Sequence, residues 1–319
     1  MSRATHQRLP GVPVSRVISL LPSTTEIVHA LGCGEQLVGR SHECDHPPGV
    51  EALPIVTAPR VPVTGDSREI DDQLRSILEQ ALSVYEVHTD VLRDLAPDLV
   101  LTQSLCEVCA VSFADVQAAV RDHLDGDVEV VPCEPNRLAD VEADVRRVAT
   151  ALGVPDRGDQ VVSDMADRLA QVRERTASQP RRRVVTIEWI DPLMAGGNWM
   201  PELLDAAGGE ELLGEAGAHS PWTDWETIRS LDPDAIVVLP CGFDLDRTRT
   251  EAAALTELPG WGSLRAVREG QVAIADGHHY FNRPGPRLVE SAEILAEILH
   301  PDVATYGHEG RAWERFPSS

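Results

Sequence analysis

Asp90-Val91-Leu92-Arg93-Asp94-Leu95-Ala96-Pro97-Asp98-Leu99-Val100-Leu101 and Glu226-Thr227-Ile228-Arg229-Ser230-Leu231-Asp232-Pro233-Asp234-Ala235-Ile236-Val237 run in step at a constant offset. Each copy reads as a short helix, a Pro-Asp turn and an apolar strand. Proline cannot continue the helix. The unbroken apolar run that follows is that of a strand buried on both faces. Two copies point to two homologous lobes, although a helix, a Pro-Asp turn and a strand also form a common α/β junction. Cys106 follows the first copy and Cys241 the second, at nearly matching positions.

Working outward, strands are expected at 16–20, 36–41, 98–102, 127–132, 183–189, 234–239 and 271–275. Apolar residues at helical spacing intervene, as in Leu74-Ile77-Leu78-Ala81, Val116-Ala119-Val120-Leu124 and Leu288-Ala292-Leu295-Leu299. Ser23 and Glu26 have capping-box spacing before the helix that Gly32 ends. One long helix stands apart, from about Asp156 to Ala177, with Val162, Met165, Leu169 and Val172 as a narrow apolar stripe. The expected fold is α/β: two Rossmann-like lobes with mainly parallel sheets, joined by this one helix. The expected division is an N-terminal lobe at 1–153, a connecting helix at 154–180, a C-terminal lobe at 181–300 and an extension at 301–319.

Lys and Arg number 28 against 52 Asp and Glu, a formal charge of −24. Such a field repels phosphate backbones and anionic membranes, so nucleic acid is a poor partner. No apolar run is long enough to span a bilayer. The first residues, MSRATHQRLPGVPVSRV, hold no apolar core of a secretion signal. A cytoplasmic protein is therefore expected, and a periplasmic or extracellular one if the start is misassigned. In that reducing setting the six cysteines would not form structural disulfides.

Ligands of open α/β sheets bind beyond the carboxyl ends of the strands. The loops there hold His42, Glu43 and Cys44, then Cys106 and Cys109, then Trp189, then Cys241, and finally His278, His279, Tyr280, Asn282 and Arg283. Trp189, Trp199, Trp222 and Trp225 cluster in sequence, and aromatic walls suit a large planar ligand. Cys44, Cys106, Cys109 and Cys241 could gather to hold zinc or an iron–sulfur cluster. Alternatively they are inert buried thiols, or they meet a ligand's own metal. No nucleophile elbow, phosphate-binding loop or zinc-protease motif is present.

The run Arg16-Val-Ile-Ser-Leu-Leu-Pro-Ser-Thr-Thr-Glu26, then Leu31-Gly32, Leu37-Val38-Gly39, Pro47-Pro48, Leu95-Ala-Pro-Asp-Leu-Val100, Pro221-Trp222 and Pro284-Gly-Pro-Arg287, covers roughly 14–300. It resembles the cobalamin- and iron-siderophore-binding proteins of ABC importers, most nearly the cobalamin-binding branch. That resemblance implies two lobes on a rigid helix with the ligand in the cleft between them. It also implies cobalamin or a related corrinoid, heme or a ferric siderophore as ligand, bound without chemistry. Ser23 and Thr24 in the opening motif, with His42, Glu43, Cys106, Trp189, Trp199, Trp222, Cys241, Tyr280, Asn282 and Arg283, are the ligand-binding candidates. By position Asp90 and Glu226 resemble the acidic pair that meets permease arginines in the cobalamin-binding importer protein, so the expected partner is an ABC permease or a cytosolic acceptor. The alternative is a cytoplasmic metal- or iron–sulfur-containing enzyme using the cysteines.

Overall fold

The computed structural model describes residues 14–59, 65–79, 85–103, 113–124 and 128–317. In chain order the strands are β1 Val17–Ser19, β2 Leu37–Arg40, β3 Thr57–Pro59, β4 Tyr85–Val87, β5 Leu99–Gln103, β6 Glu129–Cys133, β7 Arg182–Trp189, β8 Met194–Ala195, β9 Gly209–Glu211, β10 Ala235–Val238, β11 Val272–Ala275 and β12 Trp313–Arg315. The helices are α1 Pro22–Ala30, α2 Ser67–Glu79, α3 Thr89–Leu95, α4 Phe113–His123, α5 Leu138–Ala151, α6 Pro155–Thr176, α7 Met200–Ala206, α8 Trp225–Leu231, α9 Leu245–Ala252, α10 Arg265–Arg268 and α11 Leu288–Leu299. Among the described residues no helix is long and apolar enough to cross a membrane.

The chain divides into two compact units. The first holds most residues up to Val162. The second begins at Ser163, inside α6, and also takes in Thr64–Asp72 and Pro135–Asp140. The buried stripe of α6 is Val162, Met165, Leu169 and Val172, as the periodicity predicts.

Unit 1 is built on a four-stranded parallel sheet, ordered β2-β1-β5-β6. Val17, Ile18, Leu99, Val100 and Leu101 are fully buried, which is why these strands carry no polar alternation. The capping box does not form. The N-cap is Leu21, with Pro22 in the first turn and no side-chain cap. Proline lacks the N–H that a cap would satisfy and presets the helical φ, so the helix starts ahead of Ser23. The nearby hydroxyls instead bond one another: Ser19 Oγ lies 2.7 Å from Thr24 Oγ1 and accepts from Thr25 Oγ1 at 2.8 Å.

Unit 2 has a six-stranded sheet, ordered β12-β11-β10-β7-β8, with β9 also on β7. Its central pairs β11–β10 and β10–β7 are parallel, whereas β12 and β8 join antiparallel. All but Glu290 of α11 is buried, as expected of a helix apolar nearly all round. Two of its buried residues are Glu293 and Glu297. The C-terminal segment folds onto them: Glu297 accepts from the backbone N–H groups of Tyr306, Gly307 and His308 and from Trp313 Nε1.

The repeated sequence becomes repeated structure. α3 ends on Ala96 at φ 39°, ψ 64°, and α8 on Asp232 at φ 43°, ψ 66°. Asp98 Oδ2 accepts from Ser15 N at 2.9 Å and Arg16 N at 3.1 Å, just ahead of β1. Asp234 Oδ2 accepts from Arg183 N at 2.9 Å, near the start of β7. In both copies the aspartate N–H returns a bond to the neighbouring strand, to Arg16 O and Arg183 O, each at 2.8 Å. The aspartate thus fixes where the next parallel strand joins, and the proline stops the helix short of it.

Candidate functional site

In unit 1 the loop after β2 carries Ser41, His42, Glu43 and Cys44. Arg40 is buried and donates to the carbonyls of Ser41, Cys44 and Glu51, which stiffens the loop from beneath. His42 Nδ1 lies 2.8 Å from Thr57 Oγ1, and its ring packs on Tyr85 at 5.0 Å. Burial, followed by the charges of Arg40 and His88, pushes the His42 imidazole down to about 4. It is therefore neutral at physiological pH. Tyr85 donates to Glu43 Oε1 at 3.0 Å. Ser23 and Thr24 are buried, and the Thr24 hydroxyl donates to Leu21 O at 3.2 Å.

Cys44 is buried and accepts from Thr25 Oγ1 at 3.1 Å. Cys106 and Cys109 lie outside the described residues. Cys241 is half-buried after β10, its N–H donating to Glu188 O at 3.0 Å.

In unit 2 the loops after β8, β10 and β11 meet through a set of hydrogen bonds. His278 N donates to Phe243 O at 3.0 Å, and Trp199 Nε1 donates to Phe281 O at 2.9 Å. Gly277–Phe281 forms a π-helical turn, a rare geometry frequently found at functional sites. A Cβ at Gly277 would lie 2.2 Å from Pro240 O, so only glycine lets this turn pack on the loop after β10. Asn282 Nδ2 closes the turn on Gly277 O at 2.9 Å.

The tryptophans divide. Trp189 and Trp199 are packed inward; Trp189 lies 5.3 Å from Phe243, and its indole N–H donates to Ser67 O at 3.2 Å. Trp225 stacks on Trp261 at 5.9 Å. Trp222 is 55% exposed. Tyr280 is half-buried, and burial pushes its phenol up.

Charged groups are placed with care at the end of β7. Glu188 is buried and accepts from Ser220 Oγ at 2.5 Å, and burial pushes its carboxyl up to about 7 against that bond. Glu211 is pushed up to about 7 by the same cause, against bonds from Thr186, Leu212 and Leu213. Arg283 is buried, and its guanidinium donates to His278 Nε2 at 2.8 Å. His279 Nδ1 lies 2.7 Å from Asp276 Oδ2, while His279 N donates to Asp276 Oδ1 at 2.8 Å. The sequence reading named this loop but missed the role of Asp276. The Asp-x-x-His spacing was the available signal.

Asp90 and Glu226 sit at equivalent places, second in α3 and in α8. They are 89% and 72% exposed, and each pairs with an arginine three residues on, Arg93 and Arg229.

The model of the periplasmic binding protein family matches residues 17–278. An uncharacterized ABC transporter substrate-binding lipoprotein of Bacillus subtilis is 27% identical over 90% of this chain and 81% of its own. A vitamin B12-binding protein of Yersinia pestis is 23% identical over 91% of this chain and 88% of its own. Among solved structures, a periplasmic heme-binding protein from Pseudomonas aeruginosa superposes with a TM-score of 0.67 at 23% identity, covering 92% of this chain and 94% of that one.

These comparisons correct the expectation of a cytoplasmic protein, because the family is periplasmic and the first relative is a lipoprotein. Compartment is set by a targeting segment and not by the folded body, so the polar first residues could not carry that assignment. They lend no support to a resident zinc or iron–sulfur centre, nor to the enzyme alternative. The chain belongs to the periplasmic binding protein family and is a substrate-binding protein rather than an enzyme.

Proposed function

We propose that this chain is the substrate-binding component of an ABC importer for a metal–tetrapyrrole, with a corrinoid of the cobalamin type as first choice and heme as second. It holds its cargo by loops at the carboxyl ends of parallel strands and releases it unchanged. The observation that carries this reading is the set of imidazoles on those loops. His42 follows β2, and His278 and His279 follow β11. Imidazole is a good ligand for iron, whereas a ferric siderophore already surrounds its metal with its own donors. The curated relative bearing vitamin B12 in its name spans nearly the whole chain.

His42, Glu43, Trp222, Cys241, Tyr280, Asn282 and Arg283 remain the proposed ligand-facing residues, and Cys106 is kept with them. Ser23, Thr24, Trp189 and Trp199 support the fold beneath those loops, as their burial suggests.

Asp90 and Glu226 are proposed to dock an ABC permease. Their present arginine partners are exposed and i,i+3, a kind of pair worth about 0–1 kcal/mol, so a partner's arginine displaces them at little cost.

The test is a titration of the purified protein with aquocobalamin, hemin and a ferric hydroxamate, followed by equilibrium dialysis. Saturable binding of a tetrapyrrole with the cargo recovered intact supports the reading. Binding of neither tetrapyrrole refutes it. Reversing both charges, Asp90→Lys with Glu226→Lys, is expected to abolish uptake with a reconstituted permease and leave cargo affinity unchanged.

A further inference from the structure

We infer that His42 is the side chain through which this protein ligates the metal of its cargo, by Nε2, with Thr57 as the residue that positions its ring. The inference rests on the metal–tetrapyrrole reading above and adds the atom that makes the bond.

The hydrogen bonds around Thr57 fix which nitrogen of His42 carries the proton. The Thr57 hydroxyl donates to Ser41 Oγ at 3.1 Å. The same oxygen accepts from the His42 backbone N–H at 3.1 Å and lies 2.8 Å from His42 Nδ1. A hydroxyl has one proton and two lone pairs. With its proton engaged by Ser41, Thr57 can only accept from the ring, so the hydrogen is on Nδ1. The opposite tautomer would set two lone pairs against each other at 2.8 Å. In a neutral imidazole one nitrogen donates and the other accepts, so the lone pair of His42 is on Nε2.

That atom is available. Nε2 meets no polar group among the described residues, and it is not one of the side-chain atoms sealed from solvent without a partner. Burial, followed by the charges of Arg40 and His88, keeps the ring neutral at physiological pH, so no proton competes for the lone pair.

The ring is also held in place. One Thr57 oxygen takes both the backbone and the ring N–H of His42, and Thr57 is itself fixed in β3. The neighbouring strand β4 begins at Tyr85, whose ring packs on the imidazole at 5.0 Å. Beneath the loop, buried Arg40 ties the carbonyls of Ser41 and Cys44 on either side of His42. A partner behind the ring that sets tautomer and orientation is how proteins present a metal-binding histidine.

The cargo chemistry this selects is a tetrapyrrole whose iron(III) or cobalt(III) carries an exchangeable axial water. The step is a ligand exchange. A bond from Nε2 to the metal forms, the metal–water bond breaks, and water leaves. No electron is transferred.

The experiment measures two things on the same samples. Equilibrium dialysis gives affinity for aquocobalamin and hemin. Visible spectra, with pulsed electron paramagnetic resonance of the hemin complex of protein carrying nitrogen-15 histidine, report nitrogen bound to the metal. Wild type is expected to shift the bands of aquocobalamin or hemin, and the one that shifts identifies the cargo metal.

His42→Ala is expected to lose the shift and about tenfold or more in affinity. His42→Gly is expected to regain the shift with added imidazole. Thr57→Val, which makes both tautomers of the ring accessible, is expected to keep the shift and lose about tenfold in affinity, and Thr57→Ser to restore it. Melting curves of each variant separate loss of ligation from loss of fold. If His42→Ala does not fold, His42→Gln, which can still donate to Thr57 but brings no imidazole, takes its place. If wild type binds neither aquocobalamin nor hemin, the metal–tetrapyrrole reading itself fails. If cargo binds and the shift survives the loss of the His42 imidazole, or is absent from wild type, that reading stands and the assignment of His42 is overturned.

Discussion

Glu297→Ala is expected to cost about 3–5 kcal/mol in the stability of unit 2. Glu297 lies on α11 and is buried. Its carboxylate takes four donors from the C-terminal segment: the N–H of Tyr306, that of Gly307 at 2.5 Å, that of His308 at 3.1 Å, and Trp313 Nε1 at 2.9 Å. A hydrogen bond to a charged group contributes about 1.5–3 kcal/mol net, and an orphaned buried donor costs about 1–3 kcal/mol. The four are not additive because they share one carboxylate. Part of the loss is recovered if the segment lifts off and its N–H groups reach water. Lifting is limited by β12, which pairs with β11, and by His308, which meets Glu293 at 3.2 Å beside Arg168. Glu297→Gln keeps one carbonyl acceptor but turns an amide toward two donors, so about 2–3 kcal/mol is expected. The assay is urea unfolding followed by tryptophan fluorescence, with limited proteolysis to see whether the segment after Ala304 becomes cleavable. A cost below about 1 kcal/mol for Glu297→Ala, with no new cleavage, would refute the reasoning. It would show that β12 and the His308 contact hold the segment without Glu297.

Three further outcomes follow from particular groups. Glu188, with its carboxyl raised to about 7, binds a proton in the folded state that the unfolded chain has already released. Its stability contribution is complete below about 4.5 and declines as pH rises to about 7, by roughly 3 kcal/mol at 1.4 kcal/mol per unit. Glu188→Gln is expected to reduce the slope in denaturation curves run from pH 4 to 8, with Glu211 supplying the remainder, and an unchanged slope counts against the buried neutral acid. Ala96 at φ 39° sits where a side chain is disfavoured by about 1–2 kcal/mol. Ala96→Gly is therefore expected to raise stability by about 0.5–1 kcal/mol after the added chain entropy is charged against it, read as a higher melting temperature. Gly277→Ala is expected to destabilise by about 2–3 kcal/mol, because the new Cβ must push against Pro240 O and Leu239 O. It is also expected to weaken cargo binding, and a variant with wild-type affinity and melting temperature would show that the turn tolerates a side chain.

What the sequence by itself determined was local. The two copies at Asp90 and Glu226 carried the whole helix, turn and strand, because proline and aspartate act within a few residues of where they stand. The stripe of α6 and the apolar runs of β5 and β10 were legible for the same reason: each has one periodicity and one way to be buried. The capping box at Ser23 was misread because Pro22, one residue earlier, already supplied the start.

Which side chains are packed away and which stay accessible was decided by tertiary structure alone. Trp189 and Trp222 are the same chemistry in the sequence, yet one packs on Phe243 and the other is 55% exposed. His278 and His279 are neighbours, yet one meets the Arg283 guanidinium and the other the Asp276 carboxylate. Glu297 looks like any helix acid until the chain returns at Tyr306 to surround it. Periodicity and turn chemistry are set by covalent neighbours, so they can be read along the chain. Burial, tautomer and partner depend on residues brought together from a distance, and these only the fold supplies.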